Sequence, residues 1–242
     1  MSIFKKATKD AARLRLALAG PSGSGKTYTA LAVATAMSKA DGSISRVALL
    51  DTEHASASKY ADLFQFDTVS MTAPYHPDRF CKVIQAAAGE GYDVLIVDSL
   101  SHAWNGTGGI LEIVDQVAAR QRSSNSFAAW KEATPIHQRL IEALLGTDIH
   151  LIATMRSKQE YALEKDGKGR LQVKKLGLAP IQRDGMEYEF DVFAELDMQH
   201  RLIVTKSRCP ALSDAVIEKP GADLAATLSN WLRADTVAAQ AA

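Results

Sequence analysis

Apolar residues fall along the chain in short runs separated by stretches of helical spacing. Residues 14–19 alternate Leu14, Leu16 and Leu18 with Arg15, Ala17 and Ala19, a period of two that predicts a strand. Residues 46–51 (RVALLD) and 92–100 (YDVLIVDSL) are near-continuous apolar runs that meet an acid, as parallel strands buried on both faces do. Residues 148–154 (DIHLIAT) predict a fourth strand, and 66–70 a short one. Between the strands the period lengthens. An Ala/Leu/Val-rich run reaches Met37, and 78–88 carry Phe80, Val83, Ile84 and Ala87 on one helical face. Residues 110–119 do the same with Leu111, Val114 and Ala118, so each predicts a helix with one apolar side. Residues 55–63 predict a short helix, and 127–145 a longer one interrupted near Pro135, because proline removes a helical hydrogen bond.

Strand and helix thus alternate as βαβαβαβ, which implies a parallel sheet covered by helices. Downstream the pattern changes. Residues 160–177 set a polar Asp-Gly-Lys-Gly centre between alternating arms, predicting a β-hairpin or a mobile loop. Residues 183–190 read as a short helix, and 191–196 and 201–206 as two strands joined by a turn. Pro220 and Gly221 break the chain before a helix over 222–232 with Leu224, Leu228, Trp231 and Leu232 inward. The expected fold is α/β: a mostly parallel central sheet flanked by helices, with antiparallel strands near the C-terminus. The expected organisation is a single domain over residues 1–234 and a disordered, Ala-rich tail over 235–242.

Composition narrows what such a fold could serve. At 242 residues and 47% hydrophobic the chain can bury one α/β core. Its formal charge is zero, so any nucleic-acid contact must come from a local patch. Cys81 and Cys209 lack metal spacing and read as structural thiols in a reducing compartment. No apolar run is long enough to span a membrane. The N-terminal Lys5, Lys6, Lys9, Arg13 and Arg15 could mimic a transit peptide, but residues 13–19 are needed as a strand.

The candidate chemistry sits where the predicted strands end. Gly20, Pro21, Ser22, Gly23, Ser24, Gly25, Lys26 and Thr27, with Tyr28 following, fit the phosphate-binding pattern G-x-x-x-x-G-K-[ST] between a strand and a helix. Gly23 and Gly25 permit positive φ, so successive N–H groups can form an anion nest. The helix start adds its positive dipole end. Lys26 would reach the β- and γ-phosphates of ATP, and Thr27 would offer its hydroxyl to Mg²⁺. Asp98, closing an apolar run, is the second candidate ligand of Mg²⁺, or else a helix-capping acid. Glu53 ends the neighbouring strand, where a carboxylate could activate the water that attacks the γ-phosphate. Ligands of open α/β sheets bind at the carboxyl ends of the strands. The loop after Ala19, together with Glu53, Asp98 and Thr154, falls at those ends.

Two further groups are cationic. Lys206 and Arg208 alternate on one strand and so project together, either into solvent or into a neighbouring subunit's site. Between residues 156 and 183 lie Arg156, Lys158, Lys165, Lys168, Arg170, Lys174, Lys175 and Arg183 against three acids, and 184–197 hold six acids and no Lys or Arg. This segregation marks Arg156, Lys158, Lys168, Arg170, Lys174 and Lys175 as candidate DNA contacts, with Tyr161 offering a ring for base stacking. The stretches 101–109, with His102 and Trp104, and 120–130, ending in Trp130, are alternative DNA loops. Either tryptophan reads equally well as core.

LLDTEHASASKYAD resembles the corresponding stretch of the RecA recombinase family, and LIVDSL its second acidic motif. ATMRSK resembles the start of that family's second DNA-binding loop, and VTKSRCPAL its late basic strand. The K-x-R spacing is also similar to DnaB-type helicases and KaiC. MRSKQEY, APIQRDGMEYEFD and TKSRC resemble the short phage RecA-like proteins known as nucleotide-binding ATPases or single-strand annealing proteins. The resemblance implies a RecA-like P-loop ATPase core, Glu53 as catalytic base, and Lys206 and Arg208 as catalytic cations acting across a subunit interface. It implies a homo-oligomer, ring or filament, that assembles on single-stranded DNA in a bacterial or phage-infected cytoplasm. Annealing or strand exchange in phage recombination would be its task, with a single-strand DNA-binding protein as a further partner. An ATP-gated DNA-binding module with little turnover and a ring-shaped motor or helicase accessory are the alternatives. A small-molecule kinase ranks below them. The chain departs from RecA at Thr154, where RecA carries a glutamine that senses the γ-phosphate, and nothing in it matches RecA's separate N-terminal helix and C-terminal domain.

Overall fold

A computed structural model describes residues 3–4, 9, 12–37, 42–121, 126–165 and 171–238. The elements are β1 (Arg15–Gly20), α1 (Lys26–Ala36), β2 (Val47–Asp51), β3 (Asp67–Ser70), α2 (Pro77–Gly89), β4 (Val94–Asp98), α3 (Ser101–Asn105), α4 (Ile110–Gln121) and α5 (Ser126–Gly146). They continue with β5 (His150–Lys165), β6 (Leu171–Pro180), β7 (Val192–Leu196), β8 (Arg201–Ser207), β9 (Val216–Glu218) and α6 (Ala222–Ala238). The sheet runs β3-β2-β4-β5-β1-β7-β8-β9, with β6 paired to β5 alone. Strands β3, β2, β4, β5, β1 and β7 are parallel, while β8, β9 and β6 are antiparallel to their neighbours.

The alternation in β1 sorts the core into two layers. Leu14, Leu16 and Leu18 face a layer shared with Leu31 of α1 and Leu224 and Leu228 of α6. Ala17 and Ala19 face the other layer, where Phe80 and Ile84 of α2, Leu140 and Leu144 of α5, and Phe193 of β7 lie. A smaller cluster of Ile110, Val114, Val117, Ala129 and Ala133 joins α4 to α5, with Trp104 and Trp130 packed against it. Both tryptophans therefore belong to a satellite core, their rings stacked 5.9 Å apart.

Several expectations are revised. The helix expected to break near Pro135 runs unbroken from Ser126 to Gly146 with Pro135 inside it. A proline there costs about 3 kcal/mol, and the buried Ala129, Ala133, Leu140, Ile141 and Leu144 along its length offset that cost. The strand expected to stop at Thr154 continues to Lys165 because β6 pairs antiparallel with its second half, so 160–165 and 171–177 are paired as the arms of a hairpin. The short helix over 183–190 shrinks to a single 3₁₀ turn, Met186–Glu189. Strand β9 was not anticipated, being only Val216–Glu218. Helix α6 extends past residue 234 to Ala238, and 239–242 of the expected tail lie outside the described residues. Cys81 and Cys209 are free thiols. Among the described residues no helix is long and apolar enough to cross a membrane.

His150 fastens the start of β5 to the start of β1, its Nδ1 accepting the Leu14 N–H at 2.9 Å. Burial, then the charges of Arg13 and Arg15, push its pKa down from 6.5 to about 4. The unfolded chain takes up this proton near pH 6.5 and the fold only near pH 4, so the contribution is complete above pH 6.5 and is lost as pH falls towards 4. His150→Asn keeps an acceptor but does not titrate. Urea unfolding at stepped pH should show the wild type losing up to about 3 kcal/mol more than H150N across that window. Parallel curves would remove His150 as the source.

Candidate active site

Because β1, β2, β4 and β5 are parallel, their carboxyl ends share one edge, and Gly20, Asp51, Asp98 and Thr154 arrive there together. The chain leaves β1 in a tight loop. Gly23 and Gly25 take φ of +81° and +90°, and α1 begins at Lys26. A Cβ on Gly20 would lie 2.6 Å from the Leu196 carbonyl oxygen, so a side chain cannot be accommodated there. Lys26 Nζ donates to the carbonyls of Gly20 (2.9 Å) and Pro21 (2.8 Å). Burial lowers its pKa, opposed by Asp98 and Glu53, and the phosphate oxygens of a nucleotide would be stronger acceptors than these carbonyls. Ser24 Oγ is buried and among the described residues has no hydrogen-bond partner, an orphan that a phosphate oxygen would satisfy.

At Asp98 the end of β4 meets the first turn of α1 and β5. Thr27 Oγ1 donates to Oδ2 at 2.7 Å and Thr154 Oγ1 to Oδ1 at 2.5 Å. The side chain is almost wholly buried, and burial pushes its pKa up against the pull of both hydroxyls. A carboxylate so desolvated favours a cation beside it. Among the described residues no cluster of three or more His, Cys, Asp or Glu could hold a metal by itself. Mg²⁺ keeps waters and phosphate oxygens and needs few protein ligands. Thr27 and Asp98 are the groups that would hold it. Thr154 occupies the Asp98 oxygen that faces β5.

Glu53 stands one strand away and is held from both sides. Asp51 accepts the Glu53 N–H at 2.6 Å and the Ala57 N–H at 2.9 Å, fixing the loop that carries it. Behind it, Thr52 Oγ1 meets His102 Nδ1 at 2.6 Å and accepts the Ser99 N–H at 2.8 Å, while Tyr75 stacks on the His102 ring at 4.7 Å. The Glu53 carboxylate itself is gripped by Arg156. Nε donates to Oε1 at 2.8 Å, and a second guanidinium nitrogen donates to Oε2. Arg156 thus belongs to the nucleotide end of the hairpin rather than to its outer cations. Residue Ser99, not a second acid, follows Asp98, and among the described residues Glu53 is a carboxylate at this edge that could activate water.

A cavity of about 1380 Å³ opens over these groups. Tyr28 and, after Glu53, Tyr60 and Phe64 form one wall, with Tyr28 edge-on to both rings at 5.9 and 5.2 Å. Such a surface can pack a nucleobase. His200 and Lys219 line the cavity as well. The sequence reading missed His200, Lys219, Tyr60, Phe64 and the pairing of Arg156. Of these only Arg156 carried a signal, its position directly after a strand end that already held Thr154.

The remaining candidates lie elsewhere. Lys206 donates to the carbonyls of Phe190 and, at 3.5 Å, Tyr188. Arg208 pairs with Asp191 at 2.9 Å. Since β8 runs antiparallel to β7, both sit at the sheet edge opposite the phosphate loop of their own chain. Lys158 is exposed on β5. Lys168 and Arg170 lie outside the described residues, as do the side chains of Tyr161, Lys174 and Lys175.

A family model described as an AAA domain matches residues 12–212, most of the chain. The chain therefore belongs to that family of P-loop ATPases, and its fold is the expected α/β P-loop NTPase core. No curated protein matches it.

The Glu53–Arg156 pair makes a measurable statement about protonation. Burial alone would raise the Glu53 carboxyl, but the Arg156 hydrogen bonds and charge, with His102 and Lys26, outweigh it and hold the group below its ordinary 4.5. Hydrolysis that uses Glu53 as base needs it ionised. In Arg156→Met burial is left as the dominant influence, so the carboxyl of the nucleotide-free protein should rise and the acid limb of kcat/KM should move to higher pH. A kcat/KM profile between about pH 4 and 8 reads this directly. An unmoved acid limb would show that Arg156 does not set the protonation of the base.

Proposed function

We propose that this chain is a RecA-like ATPase that assembles on single-stranded DNA and promotes annealing or strand exchange in recombination, using ATP and Mg²⁺. One observation carries the reading. Arg156 is the last residue of β5 paired to β1, opposite Gly20, and Ser157 is the first paired to β6. The residue that grips Glu53 is thus the residue at which β5 leaves the parallel sheet and becomes the basic hairpin. Its N–H donates to Ser101 Oγ at 3.0 Å and its carbonyl accepts the Ile181 N–H at 2.6 Å, so both arms of the hairpin base are tied to it.

The chemistry follows from competition for one guanidinium. While Arg156 holds both Glu53 oxygens, the carboxylate is poorly disposed to accept a proton from water. A γ-phosphate bound beside Lys26 is a rival partner for Arg156. Its capture would release Glu53 for hydrolysis and shift the hairpin base at the same time. Nucleotide state and DNA affinity are then linked through one side chain. The hairpin cations supply phosphate contacts. Lys206 and Arg208 are too far around the sheet to serve their own nucleotide, and in an oligomer they would reach a neighbour's. The grip on Glu53 also favours a second reading, an ATP-gated DNA-binding module with little turnover.

Two variants separate these readings. Glu53→Gln should lower hydrolysis by about 10² to 10⁴ while ATP and single-stranded DNA still bind. If hydrolysis is already negligible in the wild type and DNA binding still follows ATP, the gated module stands instead. Reversal of Lys168, Arg170, Lys174 and Lys175 to Glu should reduce the salt slope of single-strand binding by about 3. Retained, equally salt-sensitive binding would put the DNA elsewhere.

A further inference from the structure

We infer that His200, on the turn between β7 and β8, is a positioning residue for the phosphate loop: it fixes the Ser24–Gly25 peptide so that the Gly25 N–H is aimed at the nucleotide's β-phosphate. The turn is built to present this side chain. Asp197 Oδ1 accepts the N–H groups of Gln199 and Arg201 at 2.9 Å, its Oδ2 accepts Arg201 Nε at 2.7 Å, and its carbonyl accepts the His200 N–H at 3.1 Å. The turn closes with His200 at φ +61°, a conformation that glycine and asparagine adopt more readily than histidine.

The ring lies against the phosphate loop. Nδ1 is 3.1 Å from the Ser24 carbonyl oxygen, and since that oxygen can only accept, Nδ1 carries the proton. A Cβ on Gly25 would lie 3.2 Å from the same nitrogen. Gly25 is therefore confined twice, by its φ of +90° and by the ring beside it. In a planar trans peptide the C=O and N–H point opposite ways. Holding the Ser24 carbonyl on His200 turns the Gly25 N–H away from the ring. With Gly23 also at positive φ, that is the arrangement in which successive N–H groups converge on an anion. The His200 carbonyl in turn accepts the Lys219 N–H at 3.0 Å, so the turn leading into α6 is fastened to the same point.

This inference rests on the 20–27 loop being the phosphate site and is independent of the DNA reading. It is tested on the full chain by titrating ATP, ADP and AMP into wild type, His200→Gly and His200→Asn, with a thermal midpoint for each protein. Glycine deletes the ring and relaxes the turn. Asparagine tolerates the left-handed φ and places an amide N–H near the position of Nδ1. His200→Gly should weaken ATP and ADP equally, by about tenfold, and leave AMP unchanged, while His200→Asn stays within about twofold of wild type. A loss confined to ATP, a loss that includes AMP, or an asparagine variant as weak as the glycine one would overturn the assignment. So would an unaffected His200→Gly. Wild-type protein that binds neither ATP nor ADP would overturn the phosphate-site reading as well.

Discussion

The bidentate contact between Glu53 and Arg156 joins two parts of the molecule that the sheet alone keeps apart. Glu53 comes from the end of β2, and Arg156 from β5 where that strand parts from β1. As a contribution to stability such a half-exposed pair is small, on the order of 1 kcal/mol or less. Its importance lies in being exchangeable. A pair worth little is one that a phosphate could displace, and in the proposed mechanism the displaced partner is the base for hydrolysis. A deeply buried ion pair would be too costly to break.

Everything that makes this exchange local depends on the parallel sheet. Its four central strand ends bring the loop glycines, Asp98, Thr154 and the Glu53 loop to one edge. Asp98 ties α1 to β5 through Thr27 and Thr154, and Thr52 ties the Glu53 loop to the segment after β4. Strand β8 spans the molecule in the other sense. Its first end abuts the phosphate loop through His200, and its far end carries Lys206 and Arg208. One strand therefore runs from the phosphate loop to the opposite edge of the sheet.

The central strands were readable in the sequence because burial on both faces leaves no room for polar residues, as in Val94 to Val97. The phosphate loop was readable because its glycines and lysine have fixed spacing, and Asp98 and Glu53 because they close such strands. In the sequence Arg156 is indistinguishable from the hairpin cations, since charge composition cannot tell which of eight neighbouring cations meets a carboxylate 103 residues away. His200 gave no signal: a lone histidine in a turn acquires meaning only when β7 and β8 fold it against Gly25. Pro135 misled for the opposite reason, a local rule yielding to the buried face of α5.

The central claim is that Arg156 couples nucleotide to DNA. The most direct measurement is the affinity of single-stranded DNA with and without a non-hydrolysable ATP analogue, in wild type and in Arg156→Gln, at one salt concentration. The account predicts a coupling of about five- to a hundredfold in the wild type that collapses towards unity in the variant, while each ligand alone still binds. Equal coupling in both proteins would contradict it.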